Sequence, residues 1–199
     1  MSTISELKTS ITFGGGLART NRFKVTLPSL GGGGIAGFLG QRNMDILCRS
    51  ATLPGKQITT VDRRIGMEFE KVAYGYAIDD VSITFMETGT YPIRKYFDTW
   101  RSLIIDEETE TAKYKKDYAK DVQIHQLAMP LPIGAIASRV GGIDIAQSVY
   151  VVNLIDAFPT TINSVEFNNE QDAYVETTVQ LSYTNWETAK GGLSFGFNF

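Results

Sequence analysis

The sequence predicts a mainly β protein: two packed antiparallel sheets, a sandwich or open barrel, with one flanking α-helix. Three observations lead there. Tyr174 to Tyr183 alternates strictly, with Val175, Thr177, Val179, Leu181 and Tyr183 on one side and Glu176, Thr178, Gln180 and Ser182 on the other, the period of a half-buried strand. Val149 to Phe158 is apolar on both faces, as in a strand covered on both sides. Ile93, Phe97, Trp100 and Ile104 recur at the three- and four-residue spacing of a buried helical face.

The elements follow in order. Thr3-Ile4-Ser5-Glu6 has the form of a capping box, and Ile4, Leu7 and Ile11 give the helix after it a short apolar stripe. Gly14-Gly15-Gly16 ends it. So short a helix is marginal alone in water and needs a neighbour. Arg22 to Leu27 alternates, with Phe23, Val25 and Leu27 inward. Gly31 to Gly34 opens a glycine-rich loop that continues through Gly37 and Gly40. A second strand is expected over Met44 to Leu53, stopping at Pro54-Gly55.

Lys56 to Glu70 is a long polar bridge, and Met67 and Phe69 alternating with Glu68 and Glu70 suit a hairpin within it. Asp80 to Met86 is a strand. Pro92 suits the first turn of a helix reaching Ile105, with Thr90 as cap candidate. Asp106 to Glu110 is an acidic loop, and Lys113 to Lys120 is mixed and basic. Asp121 to Leu127 reads as a strand ended by Pro130 and Pro132. Gly141-Gly142 and Asn168-Asn169 mark turns either side of the Val149 strand and a short strand from Ile162 to Phe167. After Trp186, the stretch from Gly191 to Phe199 alternates Gly or polar with apolar residues. The division expected is an arm, 1–18, a β domain, 19–186, and a tail, 187–199.

Composition narrows the function. The chain has 199 residues, 43% of them hydrophobic and 21% charged, ordinary for a globular domain. A net charge of −3 argues against a tight nucleic-acid grip, which needs a basic face. Cys48 is the one cysteine, so no intrachain disulfide forms. Met1 to Glu6 has no signal-peptide pattern, and no run nears the ~20 apolar residues of a membrane helix. The expectation is folding in a cytosol.

Residues fit for catalysis are scarce. His125 is the one histidine and sits in a strand pattern without a nucleophile motif. Cys48 reads as a small hydrophobe. Asp79 and Asp80 point to opposite faces, and Asp106-Glu107-Glu108 reads as a solvated turn. Gly31 to Gly34 lacks the Gly-Lys-Ser/Thr ending of a phosphate loop. No catalytic, cofactor or metal residue is assigned. Open sheet edges, a long polar bridge and exposed ends are liabilities for a monomer that an assembly resolves.

Arg19-Thr20-Asn21-Arg22-Phe23-Lys24-Val25 resembles the Arg-x-Asn-x-Phe-x-Val opening of the tail tube subunits of contractile bacteriophages. Cys48-Arg49-Ser50-Ala51-Thr52-Leu53-Pro54-Gly55 resembles their Cys-x-x-Ala-x-Leu-Pro strand end. The bridge, the Asp80 strand, a helix carrying Phe97-Asp98-Thr99-Trp100 and the final strand with Tyr183 and Trp186 follow in the family's order. The resemblance covers roughly 19–186. It implies a fold related to secretion-system tubes, and hexameric rings whose sheets close into one large β-barrel. It implies rings stacked inside a contractile sheath, with baseplate and tape-measure partners and double-stranded DNA passing through the lumen. The location implied is the virion, after synthesis in a bacterial cytoplasm.

On that reading Arg63, Arg64, Glu68 and Glu70 are inter-subunit candidates, and Glu176, Thr178, Gln180 and Ser182 are lumen candidates. The segments Gly31 to Gly40, Pro130 to Ala146 and Gly191 to Phe199 depart from the family pattern, which leaves a tube initiator or terminator as the alternative. A small-ligand-binding β-barrel is the alternative of another class. An enzyme comes third, and the scarcity of His and Cys counts against it.

Overall fold

The computed structural model describes residues 3–13, 17–30, 44–127, 148–165, 167 and 174–189. The glycine-rich loop, the Pro130 and Pro132 stop, the Gly141-Gly142 and Asn168-Asn169 turns and the 191–199 stretch lie outside the described residues. The fold is mainly β and antiparallel, as expected. The strands are β1 (Phe23–Thr26), β2 (Cys48–Ala51), β3 (Lys56–Ile65), β4 (Glu68–Ile78), β5 (Val81–Met86), β6 (Ile105–Asp106), β7 (Thr111–Ala112), β8 (Lys120–Leu127), β9 (Ser148–Ile162), β10 (Glu176–Ser182) and β11 (Asn185–Ala189). The helices are α1 (Ile4–Phe13), α2 (Pro92–Ile104) and the single turn α3 (Lys115–Tyr118).

The two layers are halves of one seven-stranded sheet in the order β1-β8-β9-β10-β5-β2, with β11 also on β9. β9 joins them. Its first part pairs with β8 and β11, and Phe158 to Ile162 pairs with β10. The partner changes just past Asp156, whose φ of 54 lies in the left-handed region, a conformation aspartate tolerates better than most residues. Of the strand expected from Ile162 to Phe167 only Ile162 lies in a strand, as the last residue of β9; residues 163–165 and 167 belong to none. β9 is also less covered than expected: Val152 and Leu154 are buried, while Val149 and Tyr150 are exposed.

One core fills the space between the halves. Val25, Leu27, Val122, Ile124, Val152 and Leu154 come from one half, Val81, Ile83, Phe85, Val179 and Leu181 from the other. Ile93, Phe97 and Trp100 of α2 complete it, the face read from the helical spacing. Trp100 stacks near-parallel on Phe97 at 6.2 Å, and its Nε1–H donates to the Tyr118 carbonyl at 2.9 Å.

Two local expectations are corrected. Met44 to Ile46 is a helical turn, so β2 spans only Cys48–Ala51; the apolar run there serves the core through Met44 rather than a longer strand. Thr90 does not cap α2. The cap position is Tyr91, in the left-handed region and without a side-chain bond. Glu87 Oε1 instead accepts the Arg94 N–H at 2.8 Å and the Thr177 hydroxyl at 2.9 Å, a carboxylate placed where the helix dipole favours one. The acidic loop after α2 is the turn of a small β6–β7 hairpin. At the N-terminus the capping box is present: the Thr3 N–H donates to Glu6 Oε2 at 2.8 Å and the Glu6 N–H to Thr3 Oγ1 at 3.4 Å. Ile4 and Leu7 of α1 are exposed.

Candidate assembly surfaces

The bridge from Lys56 onward is a projecting hairpin, β3–β4, paired from Lys56↔Ile78 to Ile65↔Glu68. Gly66 takes φ +67 in its two-residue loop, the left-handed conformation such loops require and glycine adopts freely. Among the described residues the strands pair with each other and with no other strand, which leaves both outer edges open there. The arm is less polar than its sequence suggests. Ile58, Val61, Ile65, Met67, Phe69, Val72, Tyr74 and Tyr76 are all exposed, Met67 at 94% and Phe69 at 71%. At its base Lys56 Nζ lies 5.3 Å from the Tyr76 ring centroid and 4.9 Å from that of Trp186, a cation–π clamp to β11.

The four inter-subunit candidates cluster at the arm's tip but do not share a face. Arg63 pairs with Glu70 and Ile65 with Glu68, so alternation puts Arg63, Glu68 and Glu70 on one side and Arg64 on the other. The Arg64 Nε–H folds back to the Gly66 carbonyl at 2.9 Å. Adjacent arginines in sequence thus serve opposite surfaces.

The four lumen candidates do share a face. Thr177, Val179 and Leu181 are buried toward the core, leaving Glu176, Thr178, Gln180 and Ser182 on the opposite side of β10. Register sets Thr178 beside Thr84 and Gln180 beside Ser82 on β5, and Thr84 beside Ser50 on β2. The Thr84 and Thr178 hydroxyls lie 3.1 Å apart in a hydrogen bond. One partner escapes the sequence. Arg49 of β2 forms an ion pair with Glu176, so the face carries a cation as well as a carboxylate. No sequence signal reports this pair, because it depends on β5 lying between β2 and β10. The face is a row of hydroxyls and an amide with its charges matched.

A groove of about 530 Å³ opens where the ends of the sheet approach, lined by Thr20, Asn21, Phe23, Arg49, Ser50, Ala51, Leu53, Ile124, His125 and Gln126. Its walls come from β8 and from the segments around β1 and β2, the last two being the ends of the strand order. Burial and the Lys24 charge hold the His125 imidazole below its ordinary 6.5, and its Nδ1 lies 3.2 Å from the Ser148 hydroxyl. Burial first, then the Asp45 charge, pushes the Cys48 thiol up to about 12, which keeps it protonated and unreactive at neutral pH. Among the described residues no three His, Cys, Asp or Glu side chains converge as a metal site. No helix among them is long and apolar enough to cross a membrane.

Solved structures share this fold. One is titled the anti-feeding prophage baseplate, 6-fold symmetrised: 15% identity, 89% of this chain and 98% of that one covered, TM-score 0.59. A second is the sheath-tube complex of an extracellular contractile injection system in its extended state, at 12% identity, 96% and 99% coverage and TM-score 0.57. A third is the anti-feeding prophage cap, described as tube-terminating, at 14% identity, 87% and 91% coverage and TM-score 0.56. At such identities the likeness is one of fold. No curated protein sequence matches the chain.

The fold is thus one shared with chains of contractile particles. The family model described as phage tail tube protein matches residues 18–189, and the chain belongs to that family. It is a family of structural tube proteins and not an enzyme family.

Proposed function

We propose that the chain is the repeating subunit of the inner tube of a contractile phage tail. Six copies form a ring, their open sheet edges joined into one barrel, and rings stack within a sheath to conduct double-stranded DNA. The observation that carries this is the β3–β4 arm. It is long, anchored at its base, and coated with exposed apolar side chains that serve no core. Covering Phe69 or Tyr76 is worth roughly 1.5–3 kcal/mol each, so a few such contacts per copy offset the cost of association. The open edges at β1 and β2 ask for pairing in the same way.

The sixfold baseplate and the sheath-tube complex among the fold relatives support the ring, the sheath and the baseplate as partners; a tape-measure protein belongs to the same proposal. The charge-matched face of β10 suits a lumen, because a cationic wall would retain phosphates. Arg63, Glu68 and Glu70, with Arg64 on the opposite side, are the proposed inter-subunit contacts. The arm, body and tail division is kept, the arm holding a neighbour through Ile4 and Leu7. The location is the virion, after synthesis in the host cytoplasm. The baseplate and cap relatives favour a tube initiator or terminator as the second reading.

Size-exclusion chromatography with negative-stain imaging tests the proposal. Rings or tubes are expected, and Arg63→Glu with Arg64→Glu should weaken stacking while the subunit stays folded. A compact monomer at high concentration overturns the assembly reading, and stacking unchanged by the double reversal removes the arginines from it.

A further inference from the structure

Two surfaces stand uncovered among the described residues. One is the hairpin tip, where Met67 and Phe69 stand 94% and 71% exposed. The other is the groove between the β1 and β2 ends of the sheet, with Phe23, Ala51, Leu53 and Ile124 among its lining. We propose that the hairpin tip of one copy seats in the β1–β2 groove of the next. The proposal rests on the tube-subunit reading and names the receiving surface for the arm.

The groove's 530 Å³ falls within the roughly 300–1,000 Å³ of sites that enclose drug-sized groups. That is room for two side chains of this size. The charged side chain lining the groove is Arg49, 59% exposed although paired with Glu176. Glu68 stands next to Met67 at the tip. His125 adds a polar group to the groove, and no carboxylate is among the described residues that line it.

The layout fixes the kind of contact. Ala51 and Leu53 precede β3 by a few residues, so the groove lies near the foot of the arm. The tip lies ten residues further on, about 33 Å at strand rise. Knob and socket therefore sit at different places on each copy. Their union is head-to-tail, each copy giving a tip and receiving one, and such contacts propagate instead of closing on a pair.

Disulfide trapping tests this in the full chain, with Cys48 kept in every variant because its thiol stays protonated. Met67→Cys with Ser50→Cys places one thiol on the tip and one in the groove. Met67→Cys alone, and Met67→Cys with Ser102→Cys on α2, are the controls. Oxidation of assembled protein should give the tip–groove pair a reducible ladder of oligomers, at least about tenfold above both controls, since only neighbours with Cβ atoms about 3.5–4.5 Å apart bond readily. Particles that form normally without that ladder, or with equal ladders in the Ser102 control, overturn the socket and leave the tube reading standing. If the unaltered chain gives no particles and no variant gives a ladder, both fall together.

Discussion

Replacing Trp100 with alanine tests whether α2 is part of the core or laid on it. The side chain is fully buried. It stacks on Phe97 at 6.2 Å, meets Tyr96 edge-on at 5.9 Å, and donates to the Tyr118 carbonyl at 2.9 Å. Truncating a buried tryptophan costs about 3–5 kcal/mol, and losing the hydrogen bond adds about 1 kcal/mol. At roughly 2–4 °C per kcal/mol for a domain of this size, the melting temperature should fall by roughly 8–24 °C. Trp100→Phe keeps most of the apolar contact and loses the N–H, so it should fall between wild type and alanine. Thermal melts by circular dichroism measure both, at one fixed dilute concentration, because assembly adds stability through mass action. Urea titrations with an unchanged slope would show that the folded state alone was affected. A soluble alanine variant that melts within about 2 °C of wild type, less than 1 kcal/mol on this scale, would refute the reasoning and make α2 peripheral.

Three further outcomes are expected. Glu87→Ala leaves the Arg94 N–H and the Thr177 hydroxyl without their shared acceptor and should cost about 1–3 kcal/mol in a chemical melt; Glu87→Gln, which keeps one acceptor oxygen, should cost less. Thr178→Lys with Gln180→Lys should leave folding nearly intact, since Gln180 is exposed and Thr178 only partly covered, yet slow DNA ejection from reconstituted tails. That defect should shrink as salt screens the added charges; normal ejection at low salt would remove the face from the lumen. The folded-state pKa of His125 lies below 6.5, so unfolding takes up a proton in that window, and the stability present above 6.5 is lost as pH falls through the lowered value. His125→Gln should flatten that part of the stability curve, measured by urea midpoints from pH 7.5 down to 5.

Much of the body was legible because its cues are local and periodic. Val179 and Leu181 alternate with Thr178 and Gln180, and Ile93, Phe97 and Trp100 share a helical face, whatever lies elsewhere in the chain. The Thr3–Glu6 box was legible for the same reason. What failed depended on distant partners. The cap of α2 comes from Glu87, held in place by Thr177 ninety residues on, while Thr90 beside the helix bonds Thr88. The continuity of β9 through Pro159 was hidden because its two parts serve different neighbours. The groove could not be read, since it exists only where the first and last strands of the sheet order come together. Arg63 and Arg64 are adjacent inter-subunit candidates in the sequence, and strand alternation divides them.

On the proposed reading, these differences set two kinds of surface apart. The face of β10 is polar, hydrogen-bonded within itself and balanced by Arg49, so it has little to gain from a partner. The arm is the reverse: its apolar side chains gain by being covered, and its base is fixed by Lys56 between Tyr76 and Trp186. A lining that interacts weakly suits passage, and a lining that interacted strongly would make transit of a polyanion dependent on salt. An arm that is rigid at its base presents the same tip to every neighbour, which reduces the entropy lost on docking. The two surfaces are therefore separable by mutation. Changes at Thr178 and Gln180 should alter conduction in tubes that still assemble, whereas changes at Met67 and Phe69 should prevent tubes from forming while each subunit stays folded. If tip substitutions left assembly intact and lumen-face substitutions abolished it, the roles given to the two surfaces would have to be exchanged.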